Sequence, residues 1–268
     1  MKIILPEFTN KSEKFDYLVE NKKDLVNLKK SAIKLVDPFG TSKFEESVIK
    51  SLNETNNQDT DSQIKRTVIG NTYNWMDSHE DSHLDNVFAN SIEQKGAKNI
   101  NHFHDHVAQL MAKVGIPQAV YEKYINWTDL GVNKSGQTMA LFMDSLIKRS
   151  MNPSIFEQYK EGLINQHSVG MQYVNIMLGI NDPERKEEYG IWSQYAPKLG
   201  NYAKAEQLGY CFFVKEAKLI EISCVIAGSN ELTGTLPNKN IDPSEDSQAT
   251  PDPRLEQSTK SYWDIYLN

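Results

Sequence analysis

Two short segments of the chain carry residue types that suit acid–base and nucleophilic chemistry. Residues 101–106 contain His104 followed directly by Asp105, and residues 162–171 contain Ser168. A histidine can take the proton of a serine hydroxyl, and the serine oxygen can then attack a carbonyl carbon and become acylated. The pair therefore favours a serine peptidase with Ser168 as the nucleophile and His104 as the base.

A third candidate is Glu221, which lies in the apolar run 219–225. A carboxylate inside an apolar strand is costly unless it is paired or hydrogen-bonded. As an orienting acid behind a histidine, Glu221 would gain such a partner. Serine in a strand is usually only a small residue that packs or bonds to its neighbours. The interpretation of Ser168 therefore depends on the residues that lie near it.

Two histidine patterns raise a zinc alternative, and the first is His79-x-x-x-His83 with Glu80 between the histidines. This is the spacing of the zinc-peptidase motif, in which both histidines bind the metal from one face of a helix. The flanking residues are poor helix formers and provide no apolar stripe. A polar loop is the favoured interpretation of this segment.

The second pattern is the alternation of His102, His104 and His106. In an extended segment all three side chains would point to one face, where they could ligate zinc. One buried histidine with two exposed ones fits the spacing equally well, and no cysteine lies nearby. The spacing leaves both interpretations open, and we expect neither a metal nor another cofactor.

Composition restricts the class of protein. With 268 residues, of which 39% are hydrophobic and 24% charged, the chain can bury one sizeable core, with or without a small appendage. A formal net charge of −7 and the lack of a Lys/Arg stripe argue against a nucleic-acid partner. The two cysteines favour a reducing, cytosolic setting. No stretch approaches the roughly 18 apolar residues of a membrane span, so no membrane association is expected.

The two ends of the chain differ from its middle. Residues 11–34 show helical spacing with a charged face, and the polar residues 53–63 predict a linker. We therefore expect residues 1–60 to form a helical extension. After Leu232 large apolar residues become scarce and prolines frequent, which predicts a flexible acidic tail over residues 233–268.

The middle of the chain predicts an α+β domain over residues 61–232. Short runs of β-branched and aromatic residues alternate there with turn signals. These runs are 67–70, 118–121, 138–143, 168–176, 209–214 and 219–227. Helical spacing at 145–150 and 155–164 adds helices around a β core, and the many short strands suggest a closed or strongly curved sheet.

Four blocks of the sequence, in order, resemble the phage prohead (capsid maturation) protease family, which is similar to the herpesvirus capsid-assembly proteases. The resemblance covers residues 64–232, with Met171 standing where the family has an aromatic residue. The blocks are 74–81 with Val87-Phe88, His104-Asp105 with Val114-Gly115, the serine segment 162–171, and the Glu-x-Ser-x-Val segment within 219–230.

The resemblance implies a closed β-barrel core with surrounding helices, Ser168 as the nucleophile and His104 as the base. Glu221 matches a position where the family often has an acid. Because the herpesvirus relatives use a second histidine there, His102, His106 and Asp105 remain alternatives for the residue that orients the base.

The resemblance also implies a biological role, a prohead maturation serine endopeptidase that cleaves scaffold and major capsid proteins and itself. Such an enzyme would act as a homo-oligomer inside the assembling procapsid, in the host cytoplasm, without a cofactor. Two alternatives remain: a non-enzymatic scaffold or procapsid-core protein, and a zinc hydrolase built from the clustered histidines.

Overall fold

The computed structural model describes residues 2–32 and 59–236, which form an α+β fold with six α-helices and a mixed sheet of eight strands. The helices are α1 (Lys11–Glu20), α2 (Lys22–Ser31), α3 (Ala89–Lys95), α4 (Pro153–Lys160), α5 (Lys186–Tyr195) and α6 (Tyr202–Leu208). The strands are β1 (Gln63–Thr72), β2 (Asp81–His83), β3 (Asn101–His104), β4 (Lys113–Asn126), β5 (Gln137–Lys148), β6 (His167–Ile180), β7 (Tyr210–Cys224) and β8 (Gly234–Thr235). The predicted α+β class is confirmed.

The sheet is not closed into a barrel, so the predicted closed barrel is wrong. The strand order is β2-β7-β3-β4-β5-β1-β8, and β6 pairs with β7 outside this path. β2 and β3 run parallel to β7, whereas the other pairs are antiparallel. Strand patterns do not reveal closure, because closure depends on which distant strands pair.

Strand pairing explains two differences from the sequence prediction. Residues 209–214 and 219–227 were predicted as two strands, but β7 continues from Tyr210 to Cys224 because β6 pairs along its whole length. Register shifts near Asn175 let the two long strands stay paired through the polar middle of β7. The helical spacing predicted for 145–150 is also wrong, since β5 continues to Lys148 between β1 and β4.

The two N-terminal helices pack into the main core. Asn10 caps α1, accepting a hydrogen bond from the Glu13 backbone N–H. Leu18 of α1 and Leu25 of α2 belong to the same hydrophobic cluster as Val68 of β1. The helical structure predicted for residues 11–34 is confirmed over residues 11–31, where it forms two helices. The division of the chain at residue 60 stays a prediction.

The sheet also includes residues assigned above to the tail. Gly234 and Thr235 form β8 on the edge of β1, and Leu236 is buried. The rest of the predicted tail, residues 237–268, and most of the predicted linker, residues 53–58, lie outside the described residues. Among the helices within 2–32 and 59–236, none is long and apolar enough to cross a membrane.

Candidate active site

The candidate nucleophile lies at the start of β6. Ser168 pairs with Ser223 of β7, and Gly170 pairs with Glu221. Directly paired residues of neighbouring strands point to the same face of a sheet. Ser168, Gly170, Glu221 and Ser223 therefore share one face, and the structure brings the two sequence candidates Ser168 and Glu221 together there.

The predicted base, His104, lies on the other face. It pairs with Cys224, the residue after Ser223, and successive residues of a strand alternate between faces. Its Nδ1 lies 2.9 Å from Oδ2 of the adjacent, exposed Asp105. Within the described part of the chain, no hydrogen bond joins His104 to Ser168 or Glu221.

His106 leaves the alternation of the three histidines. β3 ends at His104, and the next two residues have positive φ values, 51° at Asp105 and 55° at His106. Asp and His are among the non-glycine residues that tolerate this left-handed region best. The turn carries His106 across the end of β7 to Glu221, so the segment is not extended through His106 and the three histidines do not share one face.

His106 and Glu221 form a buried pair. Nδ1 of His106 is in short contact with Oε1 of Glu221, and the two side chains are only 2% and 7% exposed. In the neutral ring, a proton on Nδ1 facing the carboxylate leaves a lone pair on Nε2. That Nε2 is buried and has no hydrogen-bond partner among the described residues, so it is not hydrogen-bonded to the Ser168 hydroxyl. With the ring neutral, the pair presents a proton acceptor that a carboxylate orients.

Gly170 connects this pair to the strand that carries the serine. A Cβ added at Gly170 would collide with Oε1 of Glu221. The carboxylate thus lies directly over the β6 backbone, two residues beyond Ser168 on the same face. Ser168 is 8% exposed, and its hydroxyl has no hydrogen-bond partner in residues 2–32 and 59–236.

The segment after β7 closes against the start of β6. The backbone N–H of Val225 donates to the Gln166 carbonyl (3.1 Å), and that of Gly228 donates to Gln166 Oε1 (3.0 Å). A Cβ at Gly228 would lie 2.8 Å from the His167 carbonyl oxygen and 3.7 Å from Cβ of Ser168. Gly228 therefore allows this segment to form a wall beside the serine.

A second polar group lies buried on the opposite face. His102 contacts Ser145 Oγ through Nδ1 (2.9 Å) and the Tyr159 hydroxyl through Nε2 (3.0 Å), and that hydroxyl also contacts Nε2 of His167 (2.8 Å). Burial lowers the pKa of His102 to about 3. Burial, with a smaller contribution from His102, lowers the pKa of His167 well below its ordinary value. Both rings are buried, and burial favours their neutral forms. The hydrogen bonds of His102 go to Ser145 and Tyr159 and not to another histidine or to Ser168.

The segment with zinc-motif spacing is not helical, as predicted, but it is not an exposed polar loop. Residues 81–83 form β2, and both His79 and His83 are buried. The His83 ring contacts the Asn71 amide (3.1 Å) and the Tyr173 hydroxyl (3.3 Å). Within the described ranges, no group of three or more His, Cys, Asp or Glu residues is placed to hold a metal ion.

Sequence reasoning missed Ser223 and gave His106 only as an alternative. The signal for His106 was the Asp-His pair at the end of a short strand, since both types tolerate the left-handed turn that ends it. No family model, curated protein or solved structure matches this chain. The resemblance to prohead proteases therefore stays a prediction.

Proposed function

We propose that the protein is a serine endopeptidase with Ser168 as the nucleophile, His106 as the general base and Glu221 as the residue that orients the base. The observation that carries the proposal is the buried Glu221–His106 pair, whose Nε2 lacks a partner among the described residues and which shares a face with Ser168. His104 was the predicted base, but its position on the other face favours His106.

The proposed reaction uses these three residues and requires the His106 ring and the Ser168 hydroxyl to come within hydrogen-bond distance of each other. Nε2 of His106 takes the Ser168 hydroxyl proton while Oγ attacks the carbonyl carbon of a peptide bond. The Glu221 carboxylate stabilises the resulting imidazolium, which then gives the proton to the leaving amine. Water, deprotonated by the same Nε2, hydrolyses the acyl ester and restores the serine.

The biological setting in this proposal comes from the sequence resemblance. The enzyme would mature proheads in the host cytoplasm, cleaving scaffold and major capsid proteins, and itself, inside the procapsid. It would do so as a homo-oligomer without a cofactor. This setting is a separate part of the proposal, because a serine peptidase of another role would use the same three residues.

A fluorophosphonate probe tests the chemistry without knowledge of the substrate, since the oxygen of an activated serine attacks its phosphorus and displaces fluoride to form a stable phosphonate ester. We expect the purified protein to be labelled at Ser168, and Ser168→Ala to abolish labelling. His106→Gln should slow labelling by about 10⁴-fold, as loss of a triad member does. His104→Gln is the matched control and should retain most of the rate.

The outcomes separate the alternatives. Labelling lost in His104→Gln and kept in His106→Gln would restore His104 as the base. An unlabelled wild-type protein that also fails to hydrolyse scaffold and capsid proteins would contradict the peptidase and favour the non-enzymatic scaffold protein.

A further inference from the structure

Ser223 lies between the two residues that would form the base and its support. Its side chain is fully buried on β7. Its Oγ donates to Oε2 of Glu221 (2.6 Å) and accepts from the backbone N–H of His106 (3.2 Å). A serine hydroxyl has a single proton, so this proton is committed to the carboxylate.

We propose that Ser223 is a positioning residue that aligns Glu221 with His106, an inference that rests on the proposed function. The terminal torsion of a glutamate side chain is broad, so a carboxylate held at one oxygen can rotate. Ser223 holds Oε2 while Oε1 meets the His106 ring. By holding Oε2, the Ser223 hydroxyl also fixes the position of Oε1 against the His106 ring.

Ser223 also anchors the backbone from which the ring extends. His106 is in the left-handed region, where a non-glycine residue persists only when its surroundings hold it. The hydrogen bond from its N–H to Ser223 is one such restraint, and the bond from the Asp105 N–H to the Cys224 carbonyl (2.9 Å) is another. Loss of the Ser223 hydroxyl would loosen the ring and the carboxylate together.

The contacts distinguish Ser223 from a nucleophile. Its hydroxyl meets the His106 backbone and the Glu221 carboxylate, whereas the His106 Nε2 has no partner among the described residues. The Ser168 hydroxyl, in contrast to that of Ser223, has no hydrogen-bond partner among the described residues. Ser223 acts through Glu221 and His106 and does not touch the reacting atoms.

Fluorophosphonate labelling of Ser168 tests this role. We expect Ser223→Ala to slow labelling by about 10²-fold, the effect of a small misplacement of a catalytic group. Ser223→Thr, which keeps the hydroxyl, should recover most of the rate. Ser91→Ala is the matched control, because Ser91 is also buried and bonds to β7, at Leu219, away from this site.

A proton NMR measurement adds a readout that a purely structural role would not change. The low-field resonance of the His106 Nδ1 proton, assigned by its loss in His106→Gln, should disappear or shift upfield in Ser223→Ala and persist in Ser91→Ala. This comparison holds even if Ser223→Thr fails to fold.

The outcomes separate this inference from the proposed function. If wild type is labelled at Ser168 while Ser223→Ala keeps both the rate and the resonance, the role of Ser223 is overturned and the peptidase stands. If Ser168 of the wild type is never labelled, both are overturned.

Discussion

The left-handed backbone at Asp105 and His106 decides which histidine reaches Glu221. Had the strand continued, His106 would have followed His102 and His104 to the other face of the sheet. The turn ends the alternation one residue after His104 and places the His106 ring on the carboxylate. Two residues' backbone conformation thus selects the candidate base.

Gly170→Ala tests whether the carboxylate must lie over β6. The added Cβ would collide with Oε1 of Glu221, so either the carboxylate or the strand must move. We expect a loss of about 1–3 kcal/mol in the free energy of unfolding, the usual cost of overpacking, together with slower labelling of Ser168. Urea unfolding and fluorophosphonate kinetics measure the two effects.

Gly190→Ala is the matched control, since a Cβ at Gly190 of α5 meets nothing within 4 Å. In a helix this change should stabilise by about 0.5–1 kcal/mol and leave labelling unchanged. Wild-type stability and labelling in Gly170→Ala would contradict the close approach of Glu221 to β6.

Chelation tests the zinc alternative at the residues that suggested it. Both ring nitrogens of His83 contact protein groups, Asn71 and Tyr173, and the segment is not a helix. We expect hydrolysis of scaffold and capsid proteins to survive treatment with EDTA or phenanthroline. A loss of hydrolysis that added zinc reverses, in a protein whose Ser168 is not labelled, would favour the zinc hydrolase.

The candidate site was partly predictable from sequence. The histidine-aspartate segment suggested Ser168 as a nucleophile and the isolated carboxylate in 219–225 suggested Glu221, and the structure brings Ser168 and Glu221 to one face. The choice between His104 and His106 as the base was not predictable from sequence, because it depends on where β3 ends. Ser223 was missed because a serine's role depends on its contacts, which its type does not specify.

At the scale of elements, α2 is joined to the sheet by a buried ion pair. Nζ of Lys29 lies 2.5 Å from Oδ1 of Asp81, with the side chains 1% and 0% exposed. Tyr173 of β6 donates to the other oxygen of Asp81 (2.8 Å). A helix from the predicted extension thus contributes a charge to the interior of the sheet domain.

Lys29→Met should destabilise the fold strongly, because it leaves the Asp81 carboxylate buried without its cation. Removal of one partner of a buried pair typically costs about 3–5 kcal/mol. Urea unfolding measures this, with Lys23→Met of the same helix as the control, since Lys23 is exposed and should change stability by less than about 0.5 kcal/mol. Equal stability of the two variants would contradict the prediction.

Elements with strong local patterns were predictable, and those set by distant pairing were not. The runs at 67–70, 118–121, 138–143 and 168–176 lie within β1, β4, β5 and β6. The helical spacing at 145–150 failed because pairing with β1 and β4 keeps that segment extended. The sheet is not closed into a barrel, and β6 pairs with β7 outside the main strand order, an arrangement that local pattern does not encode.

For the molecule as a whole, the buried neutral histidines link stability to pH. His102 and His167 both have pKa values lowered by burial, that of His102 to about 3 from an ordinary 6.5. Below pH 6.5 the unfolded chain therefore binds protons at these rings that the folded chain does not. The free energy of unfolding should therefore fall as pH decreases from 6.5 toward 3. Above pH 6.5 these two histidines cause no such loss of stability.

The slope of the unfolding free energy against pH tests the contribution of these histidines directly. The contribution of each such histidine to the slope of the unfolding free energy with pH should approach about 1.4 kcal/mol per pH unit once the ring is protonated in the unfolded chain. We expect urea unfolding between pH 7 and pH 5 to show a smaller slope for His102→Gln than for wild type, because the variant has no proton to gain at that position. The comparison of slopes removes the pH-independent cost of the substitution, and the carboxylates contribute equally to both proteins. Equal slopes would show that His102 is protonated in the folded state, contrary to its burial between Ser145 and Tyr159.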